Sequence, residues 1–309
     1  MPRLLGLFSL LVLAACGDDD STGGSWTPVT SSPMQMVLDV WAFSANDVWF
    51  VDGTTTVRRF DGSTWTDLPT PATSGLGCIF ALSPTDVWLC ADTTVLHYDG
   101  ATFETLPSTD AIGLDGLTSI WATSASSVWA VGDDAIVARY NGASWSAAYV
   151  SSNFNSSIWG TSPTNIYVLG TFDLLHYNGS NWSSVETPDR TSGDGQVWGT
   201  SASDVWVITD SSDLAHFDGD QWESVRDLEL IGDLSAIWGA SADNLWAAGS
   251  AGQIAHFDGS TWTDVQHQQI GAPYLQRFLA VHGSGASDVW AVGQQLGEGG
   301  STALVYRLR

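Results

Sequence analysis

The sequence predicts an all-β fold, a seven-bladed β-propeller of four-stranded antiparallel blades, on three observations. A Trp-rich unit of about forty residues recurs seven times, a period typical of propeller blades. Each complete unit holds four short apolar runs. The last unit lacks its fourth run, and the N-terminal region supplies one that matches it.

The runs are rich in Val, Ile, Trp, Phe and Tyr and are separated by turn residues, the pattern of strands. The first strand carries Trp41, Phe80, Trp121, Trp159, Trp198, Trp238 and His282 in successive copies. The second carries Trp49, Trp88, Trp129, Tyr167, Trp206, Trp246 and Trp290. Between them lies a Ser-x-x-Asp-like turn, as in Ser83-Pro84-Thr85-Asp86, whose side chains can hydrogen-bond the turn backbone. The third strand ends at Asp-Gly or Asn-Gly, for example Asp61-Gly62 and Asn178-Gly179, dipeptides that accept the positive φ of a tight hairpin turn. The fourth begins with Trp65, Phe103, Trp145, Trp182, Trp222 or Trp262. All 17 Trp residues fall on three positions of the unit, so they are blade-packing residues before they are candidates for ligand contact.

In the seventh copy a third strand is expected over 303–309. The missing fourth is expected at Ser25-Trp26-Thr27-Pro28-Val29, which matches Ser260-Thr261-Trp262-Thr263-Asp264-Val265. Such a clasp closes the ring and removes two open sheet edges. Pro28 suits an edge strand. Residues 25–309 are therefore expected to form one propeller domain.

Residues 1–15 read as a signal peptide: Arg3 is the positive start and Leu4 to Leu13 the apolar run, too short to span a bilayer. Leu13-Ala14-Ala15-Cys16 resembles the lipobox of bacterial lipoproteins, which implies lipidation at Cys16 and a flexible acidic tether over 16–24. In the sorting of such lipoproteins an Asp directly after the Cys signals inner-membrane retention. Here that residue is Gly17, so the chain resembles an outer-membrane or cell-surface lipoprotein. Cys78 lies two residues before Phe80 and Cys90 two after Trp88. If the two aromatics face one another, so do the cysteines, and an oxidising compartment favours a disulfide over two buried thiols.

With 34 acidic residues, 9 basic ones and no lysine, the net charge is −25. That excludes nucleic acid, which needs clustered cations, and leaves the lipid anchor as the expected membrane contact. The acids are scattered and lack the alternating spacing of a Ca²⁺ loop. No metal or cofactor site is therefore expected, with a divalent cation as the sharper alternative.

The repeats resemble those of bacterial secreted propellers of the Kelch-like, BNR-like and tectonin-like group, without matching any one motif fully. Asp61-Gly62-Ser63-Thr64-Trp65 is one residue shorter than an Asp-box and lacks its leading Ser. Phe257-Asp258-Gly259-Ser260-Thr261-Trp262 is similar to a tectonin-type lectin repeat. The double Gly of Kelch repeats and the Gly-His and Trp-Asp pairs of WD40 repeats are missing. The resemblance implies the fold and leaves the activity open.

Catalysis is not expected. His97, His176, His216 and His256 recur at one repeat position, shared with Arg59 and Arg139, as packing residues do. No nucleophile elbow, zinc motif or phosphate loop appears. A glycoside hydrolase, with Glu186 or Glu229 among the loop acids, is the remaining enzymatic alternative.

The expected function is protein recognition or scaffolding in the cell envelope by a monomer. Its surface would be the loops that differ between copies: 69–77, 107–117, 149–155, 186–195, 226–234 and 266–277, with a long loop at 294–301. Candidate binding residues are Asp189, Arg190, Arg226, Leu230, Ile231, Tyr274, Leu275 and Arg277, together with His282, the polar substitution in the first-strand series. A glycan-binding propeller is the alternative, because aromatic faces stack on sugars.

Overall fold

The computed structural model describes residues 25–29, 34–150, 154–191, 195–209, 213–225, 232–266, 275–297 and 300–309, without the side chains of 110 and 111. The leader, Cys16 and the tether lie outside the described residues. So do Arg226, Glu229, Leu230, Ile231 and Tyr274.

The described strands form seven four-stranded antiparallel sheets, six of them built from consecutive strands. Blade 1 consists of Asp39–Ser44, Asp47–Val51, Thr56–Phe60 and Trp65–Pro69. In the seventh, Trp26–Pro28 pairs with Gly300–Leu308, which pairs in turn with Asp288–Gly297 and Leu275–Gly285. The clasp is anchored by the register Trp26↔Leu308 and Pro28↔Tyr306, and by reciprocal main-chain bonds between Ser25 and Arg309. Pro28 sits on the outermost strand, where its missing N–H costs nothing to the ladder.

The first- and second-strand aromatics are direct register partners: Trp41↔Trp49, Phe80↔Trp88, Trp121↔Trp129 and Trp238↔Trp246. Cys78 and Cys90 are partners two steps along, with Cα atoms 5.0 Å apart and their sulfurs bonded. Second strands are buried on both faces, because each lies between two neighbouring blades; Val48, Trp49, Phe50 and Val51 are at most 1% exposed. Fourth strands, at the rim, are largely exposed.

Blades adhere through one recurring contact: the second-strand aromatic packs on the third- and fourth-strand aromatics of the next blade. Trp49 meets Tyr98 and Phe103, Trp129 meets Tyr177 and Trp182, and Trp206 meets Phe257 and Trp262. Trp246 meets Trp26 of the clasp at 5.4 Å, so the N-terminal strand supplies the contact that a fourth strand supplies elsewhere. Near the axis a second complementarity appears. The indoles of Trp121, Trp159, Trp198 and Trp238 lie against Gly160, Gly199, Gly239 and Gly283 of the following blade, where a Cβ would meet them at 2.7–3.2 Å.

The final hairpin departs from the sequence expectation. The third strand begins at Gly300 rather than at 303, and the ladder continues to Gly297↔Gly300. Most of 294–301, expected as a long loop, is thus paired strand. Leu275 and Arg277, expected in a loop, belong to the first strand of that blade, in register with Leu296 and Gln294. A hairpin ladder, once started, gains by extending while both strands offer unpaired N–H and C=O groups. No helix among the described residues is long and apolar enough to cross a membrane.

Candidate functional site

The repeated polar positions are used within their own hairpins. His97 stacks on Trp88 at 3.9 Å while its Nε2 pairs with Asp86 at 2.8 Å. His216 does the same with Trp206 and Asp204, and His176 with Tyr167 and Asn165. Arg59 and Arg307 pair with Asp47 and Asp288 and lie over Trp49 and Trp290. Each ring, charged group and turn carboxylate or amide forms one clamp that fixes the second strand to the third. A clamp repeated around the ring is architecture, not a catalytic centre.

The first strands enclose a central cavity of about 490 Å³. Its wall is tied between blades by side chains that accept the main-chain N–H of the next blade: Asp39 from Ile79 at 2.9 Å, Ser157 from Val197 at 3.2 Å and Gln196 from Ile237 at 2.8 Å. Asp39 also accepts from the Val40 amide. Burial in this wall pushes its carboxyl up to about 7, against the two amide bonds that favour the anion. His282 sits in the same wall, between Trp41 at 4.1 Å and Trp238 at 5.3 Å, and burial lowers its imidazole to about 3. Proposed from the sequence for the binding face, His282 is instead part of this inner ring.

Two faces remain. One carries the turns that repeat, Ser-x-x-Asp and Asp-Gly; there Asp61 Oδ1 accepts the amides of Ser63 and Thr64 and Gly62 adopts φ +94°. The Thr64 hydroxyl, which donates to the other carboxylate oxygen, and these two amides stabilise the anion and hold the Asp61 carboxyl well below the usual range. The other face carries the connections between blades and the turns between second and third strands. Antiparallel pairing puts both at the same end of every blade, as Ile136↔Tyr149 and Leu174↔Val185 show.

The described residues include five exposed large hydrophobics, and four of them are on this second face: Tyr149, Phe172, Leu275 and Leu296, with Leu82 on the other. Tyr149 ends the fourth strand of blade 3, and Phe172 forms the second-to-third turn of blade 4. Leu275 and Leu296 are opposite one another near the tip of the last hairpin. Phe172, Tyr149 and Leu296 were not singled out in the sequence. An aromatic in a turn otherwise made of polar residues and glycine was the available signal.

Beside Phe172 a recess of about 400 Å³ opens between that turn and the segment 184–191. It brings together Glu186, Asp189 and Arg190, which the sequence had placed in one variable loop, with Phe172, Asp173 and Thr191. The Arg190 guanidinium lies 5.8 Å from the Phe172 ring centre. Arg277 and Leu275 lie apart, on blade 7. Among the described residues no three His, Cys, Asp or Glu side chains are placed to hold a metal ion.

No family model matches this sequence, and no curated protein does. Similar solved structures include one described as YCF48 bound to D1 peptide, 16% identical with a TM-score of 0.68 over 93% of this chain and 96% of that one. RRP9 WD40 repeats are 10% identical with a TM-score of 0.70, over 92% and 97%. The extracellular domain of a hybrid two-component system from B. thetaiotaomicron is 14% identical with a TM-score of 0.69, over 92% of this chain and 39% of that one. At these identities the likeness shows a shared seven-bladed architecture and nothing finer. It extends to WD40 propellers although their Gly-His and Trp-Asp pairs are missing here.

Proposed function

We propose that this chain is a non-catalytic recognition propeller, held at the cell envelope by a lipid on Cys16, that binds a protein partner on its blade-linking face. The observation that carries this reading is the gathering of Tyr149, Phe172, Leu275 and Leu296 on that face, since exposed apolar side chains collected on one surface mark interaction sites. Two of the similar solved structures support it in kind, one being bound to a peptide and another an extracellular domain. The glycan alternative loses much of its motive, because none of the 17 Trp residues is exposed.

The test is photo-crosslinking in intact cells, with a photoactivatable residue placed at 172 or 275 and, as control, at 63 on the opposite face. A discrete protein adduct from the first two positions only is the expected result. It should vanish when the other three exposed side chains of that face are changed to Ser. Adducts from position 63 alone, or from all positions equally, would reject the reading. The same cells report the anchor: Cys16→Ser should move the protein from the membrane to the soluble fraction.

A further inference from the structure

The geometry points to the recess on blade 4 as the seat of a cationic side chain, arginine or lysine, carried by a peptide segment of the protein partner; this rests on the reading of that face given above. The recess contains polar groups that the fold leaves unsatisfied. Oδ1 of Asp173 is buried and has no hydrogen-bond partner, and Oγ1 of Thr191, a residue only 4% exposed, has none either. Outside the recess lining, Oδ1 of the fully buried Asn155 also has no partner. Oδ1 of Asp173 and Oδ1 of Asn155 lie 2.5 and 3.3 Å from the point that a Cβ on Gly170 would occupy, so a second acceptor lies near the Asp173 carboxyl. A buried acceptor without a partner is costly unless a proton donor or a cation reaches it.

The surroundings choose the cation. Burial without a counter-charge raises the Asp173 carboxyl above its ordinary range, and Glu186 adds a second carboxylate to the same lining. The chain has no lysine and a net charge of −25, so a partner segment that is basic gains from the long-range field before it makes any contact. Phe172, 61% exposed at the mouth, provides an apolar platform for the aliphatic stem of the incoming residue. That its ring tolerates a guanidinium is shown by Arg190, which already lies over it. Arg190 is then a competitor for the site as well as part of its rim.

The experiment is titration of the full-length protein with a short capped Ala/Leu peptide bearing one central arginine, and with its citrulline and glutamate counterparts. The arginine peptide is expected to bind, citrulline to weaken it roughly tenfold or more, and Asp173→Asn to weaken the arginine peptide by a similar factor. Phe172→Ala should weaken all binding, and Arg190→Ala should strengthen it. Asp173→Asn keeps the main-chain carbonyl that accepts the Gly170 amide, so its fold is expected to persist, and an unchanged melting curve confirms this. Equal affinity for the glutamate peptide, indifference to Asp173→Asn, or no peptide binding at all overturns the proposal. Binding of chito-oligosaccharide that is lost in Phe172→Ala but not in Asp173→Asn overturns it in favour of a sugar. Crosslinks from position 275 that persist in Asp173→Asn would leave the face reading standing while the recess proposal falls.

Discussion

Across the seam between the last blade and the first, the main-chain N–H of Ala42 donates to Nδ1 of His282 at 3.1 Å. Four other seams are filled by an indole resting on a glycine. Here the ring closes on a smaller, polar side chain that also satisfies an amide of the neighbouring blade, and the proton of the neutral imidazole is assigned to Nε2.

His282→Phe keeps a ring between Trp41 and Trp238 but removes the acceptor. A loss of about 1–3 kcal/mol is expected, the cost of leaving a buried amide unsatisfied. Chemical denaturation of the two proteins measures it. Equal stability would mean that the Ala42 amide takes a water from the central cavity.

Asp39 makes stability depend on pH. Its folded carboxyl titrates at about 7 against an ordinary 3.8, so the folded state holds the proton more tightly. That contribution is complete below pH 4, declines as pH rises, and is gone above about 7. His282 acts in the opposite sense: its depressed imidazole removes stability as pH falls from about 6.5 towards 3. Melting temperatures from pH 5 to 9 should therefore decline less towards high pH in Asp39→Asn than in the parent. Parallel profiles would show that Asp39 ionises as an ordinary carboxylate.

Deleting residues 25–30 removes Trp26 from Trp246 and leaves Gly300–Leu308 as an open edge. Aggregation and a lower melting temperature are expected, because unpaired edges recruit other strands. A truncated protein that stays monomeric and melts like the parent would refute the structural role of the clasp.

Peptide mapping of exported protein under non-reducing conditions should return Cys78 joined to Cys90, a bridge across 12 residues of sequence. Replacing both by Ser should cost roughly 3 kcal/mol, mainly by freeing the unfolded chain. Two alkylatable thiols in native protein would contradict the pairing.

The seven blades, the clasp and the alignment of Cys78 with Cys90 are all legible in the repeats. Each follows from short-range rules repeated many times: alternation along a strand, Asp-Gly at a hairpin, an indole at a fixed offset. Repetition makes such signals visible, because chance variation in one copy is outvoted by the others. Some features of the ends were also legible but misjudged in extent, as with the ladder of the last hairpin, whose length depends on how far two edges continue to pair. Other features arise only where parts of the chain distant in sequence come together. Asp39 is an ordinary acid in the sequence, and becomes a perturbed one because the wall of the cavity closes around it and presents the Ile79 amide. Phe172, Asp173 and Arg190 belong to two connections of one blade, and meet because the pairing of Leu174 with Val185 brings both connections to the same end of it. The burial of Asp39 is a property of the assembled blades, because the amide that it accepts comes from the next unit.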